Sequence, residues 1–157
     1  MRIVVISDSH RRTDIIDKIL SNEPDAKHVF FLGDNVLDIE DYEYIYSDKI
    51  FHIISGNCDY MSVAPTVGFE IIENKRIFYT HGHNYSVKYG TQKLLSVARL
   101  NNYDIVLYGH THISKSVYED GVYIVNPGSC SSPREGKPSY AVIDITAQGI
   151  MPIIKYL

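Results

Sequence analysis

Potential metal ligands recur just past the ends of short apolar runs, and they do so five times along the chain. Ile3–Ile6 leads into Ser7-Asp8-Ser9-His10, Val29–Leu32 into Gly33-Asp34-Asn35, and Phe51–Ile54 into Gly56-Asn57-Cys58-Asp59. Ile77–Tyr79 leads into Thr80-His81-Gly82-His83, and Ile105–Tyr108 into Gly109-His110-Thr111-His112, so five of the seven histidines stand in such positions. Two Asp, one Asn and several His form a mixed oxygen and imidazole set without paired thiolates, which suits manganese, iron, zinc or nickel. Asp-x-His lets alternate residues of a tight turn reach one ion, and His-x-His can offer its imidazoles to neighbouring ions. Unpaired carboxylates and imidazoles gathered at strand ends are costly to desolvate without a cation. The glycines at 33, 56, 82 and 109 fit loops that need unusual dihedrals or close backbone approach.

The elements that must carry these loops are short β-branched and aromatic runs bounded by turn residues: Arg2–Ile6, His28–Leu32, Ile50–Ile54, Phe69–Ile72, Arg76–Thr80 and Asp104–Tyr108. Their unbroken apolarity predicts strands covered on both faces. Helical periodicity runs over Thr13–Ser21, with Thr13 as the expected N-cap, and over Lys88–Asn102. After Gly109 the texture becomes hairpin-like and antiparallel, in Ile113–Tyr118, Gly121–Val125, Tyr140–Ile145 and Ile150–Tyr156. The acidic segment Asp38–Asp48, with Tyr42, Tyr44 and Tyr46, reads equally as a strand edge or the wet face of a helix. No repeat or linker divides the chain, so residues 1–157 are expected to form one α/β domain with mixed sheets. In such sheets ligands bind beyond the carboxyl ends of the strands, and five loops would converge there on one site.

Composition narrows the partners. The 157 residues are 45% hydrophobic and 22% charged, enough for one core that needs neither disulfide nor structural metal. A net charge of −4, from 15 Lys plus Arg against 19 Asp plus Glu, gives no basic track for long nucleic acid and no polybasic membrane contact. Two cysteines, Cys58 and Cys130, are too few for a secreted disulfide framework. With no signal-peptide core after Arg2 and no membrane-spanning run, the expected location is the cytoplasm. His28 and His52 read as strand or surface histidines, and the exposed tyrosines serve equally a homodimer interface or ordinary surface.

Taken in order, Asp8-Ser9-His10, Gly33-Asp34, Gly56-Asn57, His81 and Gly109-His110-Thr111-His112 resemble the five blocks of calcineurin-like metallophosphoesterases. Chain length, the Gly-Asn-Cys-Asp third block and Asn126-Pro127-Gly128-Ser129 resemble the small bacterial and archaeal YfcE-type phosphodiesterase branch. The resemblance implies a two-sheet αββα sandwich and two divalent metal ions, manganese favoured, with nickel, zinc, iron or magnesium as alternatives. It implies one ion held by Asp8, His10, Asp34 and His112, a second by Asp34, Asn57, His81 and His110, and Asp34 shared between them. Two such ions and two carboxylates leave a site charge of about +2, which explains how an acidic protein handles phosphate. The implied activity is phosphodiester hydrolysis by in-line attack of a metal-bridging hydroxide on a small, nucleotide-like diester. Phosphomonoester hydrolysis is the near alternative. A non-catalytic protein-interaction scaffold is the distant one, since the retromer subunit shares this fold.

Around that core, Asp34 and His83 are the expected catalytic residues, His83 as proton donor or phosphate contact. Arg11 and Arg134 are expected to meet substrate phosphate oxygens, as guanidinium forks can, with Arg12 a third candidate. Asp59 is expected to orient a neighbouring loop or ligand, and Gly128 and Ser129 to shape the rim. Many relatives carry His after the third-block Asn, where it assists the leaving group. Cys58 stands there in this chain, so general acid catalysis from that position is not carried over.

Overall fold

The computed structural model describes residues 1–157. Its architecture follows from the unbroken apolar runs, which bury alternate side chains on opposite faces. In β1 (Arg2–Ile6), Ile3 and Val5 face the interior between two sheets, while Val4 and Ile6 face α1 (Thr13–Asn22). The same division holds in β2 (His28–Phe31), where Phe30 points inward and Val29 and Phe31 outward. β3 (Ile50–Ile53) continues this sheet in parallel with β2, as β2 does with β1. β9 (Ser139–Thr146) and β10 (Gly149–Tyr156) complete it antiparallel, giving the order β10-β9-β1-β2-β3.

The second sheet has the order β4-β5-β6-β8-β7. Its strands are β4 (Val67–Ile72), β5 (Lys75–Thr80), β6 (Ile105–Leu107), β7 (Lys115–Glu119) and β8 (Val122–Asn126). β5, β6 and β8 run parallel, while β4 and β7 are antiparallel edges. α3 (Gln92–Asn101) packs Leu94, Leu95 and Ala98 against its outer face beside Phe78, Val106 and Ile124. Two mixed sheets with a shared core and helices outside form the expected αββα sandwich.

Some local expectations are corrected. Thr13 is the first helical residue rather than the cap, and Arg12 ahead of it offers no capping side chain. The acidic Tyr segment contains a short helix, α2 (Tyr42–Ile45), with Tyr42 buried and donating to the Thr13 carbonyl at 2.8 Å while Tyr44 is exposed. β7 and β8 do form a hairpin, but β8 also pairs in parallel with β6, so the second half is mixed rather than antiparallel throughout. Cys58 is exposed and Cys130 buried, both as free thiols. No helix is long and apolar enough to cross a membrane.

Candidate metal centre

All five polar blocks meet at one end of the sandwich. Asp8 and His10 follow β1, Asp34 follows β2, Asn57 follows β3, His81 follows β5, and His110 and His112 follow β6. Asp8, His10, Asp34, His110 and His112 each occupy left-handed backbone, with φ of 56°, 45°, 61°, 68° and 58°. Each such non-glycine conformation costs on the order of 1 kcal/mol or more, and it persists only where neighbours over-determine it.

Buried and half-buried side chains do that work. Asp59 accepts from four backbone N–H groups, those of Asp34, Asn35 and Val36 at 2.8 Å each and of Gly56 at 2.7 Å, tying the β2 and β3 loops together. Asp38 accepts from the Ser9 hydroxyl at 2.6 Å and the Arg11 N–H at 2.7 Å. Asn126 donates to the Gly109 carbonyl at 2.9 Å and the Thr111 hydroxyl at 3.0 Å and accepts from the Gly128 N–H. Ser129 donates to the Asp8 carbonyl at 2.7 Å. Gly128 and Ser129 are buried under the ligand loops and not at the rim, because their backbone and hydroxyl groups are consumed in holding Asp8 and the 129–132 turn.

Two glycines are required by space. A Cβ at Gly56 would lie 2.2 Å from Asp34 Oδ1, and one at Gly109 would lie 2.1 Å from Ser7 Oγ. Both sites of contact are donor residues or their immediate supports.

The donor atoms fall into two convergent groups. In the first, ligand atoms of Asp8, His10, Asp34 and His112 all lie within 4.8 Å of one another, and His112 Nε2 is 3.2 Å from both His10 Nε2 and Asp8 Oδ1. In the second, His81 Nε2 is 3.1 Å from Asn57 Oδ1, 3.2 Å from His110 Nδ1 and 3.4 Å from Asp34 Oδ1. Asp34 takes part in both.

Tautomers show what these groups lack. His112 Nδ1 lies 2.7 Å from the Ser132 carbonyl and His81 Nδ1 lies 2.7 Å from the Leu32 carbonyl. A carbonyl only accepts, so each Nδ1 carries a proton and each ring turns its Nε2 into the cluster, where the neutral form presents a lone pair to other acceptors. Asp8 Oδ2 accepts from Ser7 Oγ at 2.6 Å and the His110 N–H at 3.2 Å, but the fully buried Oδ1 has no hydrogen-bond donor. Its contact with His112 Nε2 lies off hydrogen-bonding geometry, so only a proton or a cation between them makes it favourable. The donor set and the orphaned oxygen therefore fit a divalent cation.

The electrostatics agree. Burial works to raise the Asp8 carboxyl pKa, but His112, the charge of His81 and the Ser7 hydroxyl outweigh it and hold Asp8 below the usual carboxylate range. Burial and the neighbouring charges of His81 and Lys88 push His110 down to about 4, keeping it a neutral ligand. The Asp8 carboxylate, 3.2 Å from its Nε2, raises His112.

The remaining expected residues lie around this cluster. The His83 ring is 5.4 Å from that of His81 and 6.1 Å from that of His110, and its buried Nδ1 has no partner. Burial and the His81 charge lower its pKa. Arg11 and Arg134 are exposed and line two separate clefts, whereas Arg12 is engaged by Asp14 in a bidentate pair at 2.8 Å. Cys58 donates its backbone N–H to Asp34 Oδ1 at 2.9 Å, and burial followed by the Asp34 charge pushes its thiol up to about 11. His28 and His52 stand apart, 2.9 Å from each other, with His52 stacked on Phe30. Asp38, Asn126 and Ser129 are the supports that ligand spacing does not reveal. The sequence signal for Asn126 and Ser129 is a sixth polar block, Asn126 to Ser129, after an apolar strand, whereas Asp38 is one acid of the segment Asp38–Asp48.

Residues 1–148 match the model of the calcineurin-like phosphoesterase superfamily domain. The chain belongs to this superfamily. Phosphodiesterase YfcE of Escherichia coli is 34% identical over 100 residues, which cover 58% of this chain and half of that protein's length. Vacuolar protein sorting-associated protein 29 of Schizosaccharomyces pombe is 30% identical over 150 residues, covering 92% of this chain and 78% of the relative. The crystal structure of a predicted phosphoesterase from Streptococcus pneumoniae superposes with a TM-score of 0.77 at 24% identity, over 98% of this chain and 97% of that one. The calcineurin-like phosphoesterase fold is thus shared along the chain, with the donor cluster at the carboxyl ends of its parallel strands.

Proposed function

We propose that this protein is a phosphodiesterase dependent on two divalent metal ions, manganese favoured, acting in the cytoplasm on a small, nucleotide-like diester. The observation that carries this reading is the pair of donor groups sharing Asp34, one of them containing the orphaned Asp8 Oδ1. Asp8, His10, Asp34 and His112 would hold one ion and Asp34, Asn57, His81 and His110 the other. When bound, such ions supply Lewis acidity toward phosphoryl oxygen and a nucleophile at neutral pH. Ser132 and Leu32 fix the tautomers of His112 and His81, so both rings are oriented before any ligand arrives. Arg11 and Arg134 meet substrate oxygens from separate clefts. His83, with an unpartnered buried nitrogen beside His81 and His110, contacts the phosphate or carries the leaving-group proton. With its thiol held protonated to about 11, Cys58 takes no part as a thiolate and serves through its backbone N–H to Asp34.

The relative named as a phosphodiesterase supports diester chemistry, while the sorting-protein relative supports the scaffold reading. Hydrolysis of bis-p-nitrophenyl phosphate and p-nitrophenyl phosphate by chelator-stripped protein, with manganese, nickel, zinc, iron or magnesium restored, separates them. Manganese-restored cleavage of the diester, reduced at least about 100-fold in Asp34→Asn, is the expected result. Preference for the monoester would change the substrate class. No turnover with any ion would leave the scaffold.

A further inference from the structure

The chain's cations are not evenly spent. Of its fifteen Lys and Arg, five pair with carboxylates. Four more are engaged: Lys27, Lys49 and Lys93 by carbonyl or hydroxyl oxygens, and Arg76 over the rings of Phe69 and Tyr103. Six side chains remain without a partner: Arg11, Lys18, Lys88, Lys115, Arg134 and Lys137. Three of these, Lys88, Lys115 and Arg134, line one cleft of about 410 Å³ that contains no Asp or Glu. In a chain with four more acids than bases, that is a local reversal of sign, and exposed lysines without function have no reason to converge.

The cleft adjoins the donor cluster. Thr111, between His110 and His112, is part of its wall, and Arg134 donates its backbone N–H to the His112 carbonyl at 3.1 Å. The Thr91 hydroxyl adds a neutral donor, while that of Thr111 is spent on the Ile113 carbonyl. A second, separate cleft, of about 360 Å³, begins at Arg11, Asn35 and Cys58, which neighbour His10, Asp34 and Asn57 in the chain. Its wall is apolar, with Leu37, Tyr60, Met61 and Val63, and it includes Glu40 and Asp59. The two clefts differ in the chemistry they accept, so the two arms of a diester are not equivalent here.

Building on the phosphodiesterase reading, we propose that the Lys88, Lys115 and Arg134 cleft binds a second phosphate on one ester arm. The preferred diester then carries an extra anionic group beyond the scissile phosphate, and its other arm lies in the apolar cleft. Two ammonium point charges and a guanidinium fork match a dianionic phosphate, and charge-assisted bonds of this kind are about twice as strong as neutral ones.

Two p-nitrophenyl esters that differ in one group test this: thymidine 5′-phosphate p-nitrophenyl ester with and without a 3′-phosphate. The manganese-loaded protein is expected to show about a tenfold lower KM for the 3′-phosphorylated ester, a preference that weakens with added salt. Lys88→Gln with Lys115→Gln should bring the ratio of the two kcat/KM values near unity, while Lys88→Arg with Lys115→Arg should retain the preference. Both positions are exposed, so thermal unfolding should stay within about 2 °C of the parent. Calorimetric titration with thymidine 3′,5′-bisphosphate and thymidine 5′-monophosphate reads the same preference without turnover. Hydrolysis of both esters with equal KM, or a preference that survives the glutamine substitutions, overturns the cleft and leaves the phosphodiesterase standing. No hydrolysis of either ester, with tighter bisphosphate binding that depends on Lys88 and Lys115, overturns the phosphodiesterase and leaves the cleft. Equal binding of the two nucleotides without hydrolysis overturns both.

Discussion

Once the pH is high enough to leave His112 neutral, Asp8 is more costly to the metal-free protein than its burial alone implies, because Oδ1 then faces the Nε2 lone pair of His112. An amide in its place would turn an N–H toward that lone pair. Asp8→Asn is therefore expected to raise the melting temperature of chelator-treated protein by about 2–4 °C at an alkaline pH above the raised pKa of His112. The same substitution should abolish any rise on adding manganese. Scanning calorimetry of both proteins with and without the ion checks the two signs, and a variant less stable than the parent without metal contradicts the orphaned-oxygen account. The seven candidate donors were legible in the sequence because carboxylate, imidazole and amide side chains gathered just past apolar runs are expensive to bury and conspicuous. Asp38, and the clamping roles of Asn126 and Ser129, were not, since a residue that accepts or donates to backbone looks like any other turn former until the loops it joins are seen together.

Those clamps belong to the scale of loops and strands. The Asp59 carboxylate serves four N–H donors, two of them from the left-handed residues Asp34 and Asn35. Asp59→Asn leaves one oxygen and aims an amide N–H at other N–H groups, at an expected cost of about 2 kcal/mol, or about 4–8 °C in melting temperature. Because Asp34 is positioned through this clamp, metal-restored diester hydrolysis should fall as well, by about tenfold or more. A different pairing governs the joint between β1 and β9. Arg2 grips Asp144 with two bonds of 2.8 Å and so holds its pKa below the ordinary carboxylate range. A depressed carboxyl stabilises fully above its unfolded pKa of about 3.9, and the contribution is lost as pH falls through the folded value. Asp144→Asn, at a partly solvated pair, should cost about 0.5–1 kcal/mol near pH 7 and converge on the parent as pH falls below the folded pKa of Asp144. Urea titrations across that range read the difference. Strand positions were readable because burial on both faces demands unbroken apolarity, as in Ile3–Ile6 and Ile105–Leu107. Strand order was not, since β1 takes a partner from residues 139–146 that no local pattern announces. The α2 segment stayed ambiguous for the same reason: Tyr42 is buried against distant residues of β1 and α1, and a four-residue helix has too little periodicity to declare itself.

For the molecule as a whole, the donor cluster is a junction between the two sheets. His10 meets His112 and Asp34 meets His81 across the sandwich, with one partner of each pair carried by the first sheet and the other by the second. Below the cluster the sheets share an apolar core of Ile3, Val5, Phe30, Ile77, Ile105 and Leu107, so the fold does not need the ions to form. Bound cations nevertheless add a cross-link that unfolding must break, because the unfolded chain scatters donors spread from residue 8 to residue 112. At a manganese concentration 100 times the Kd, one ion bound only to the folded state adds about 2.7 kcal/mol. For a domain of this length that corresponds to a rise of about 5–10 °C over the chelator-treated protein. Asp34→Asn weakens both donor groups at once and should remove most of the rise, whereas Asn57→Ala touches only the second group and should leave a part of it. Equal residual shifts in the two variants would show that Asp34 serves one group alone, and the dinuclear reading would then fall even if hydrolysis persisted.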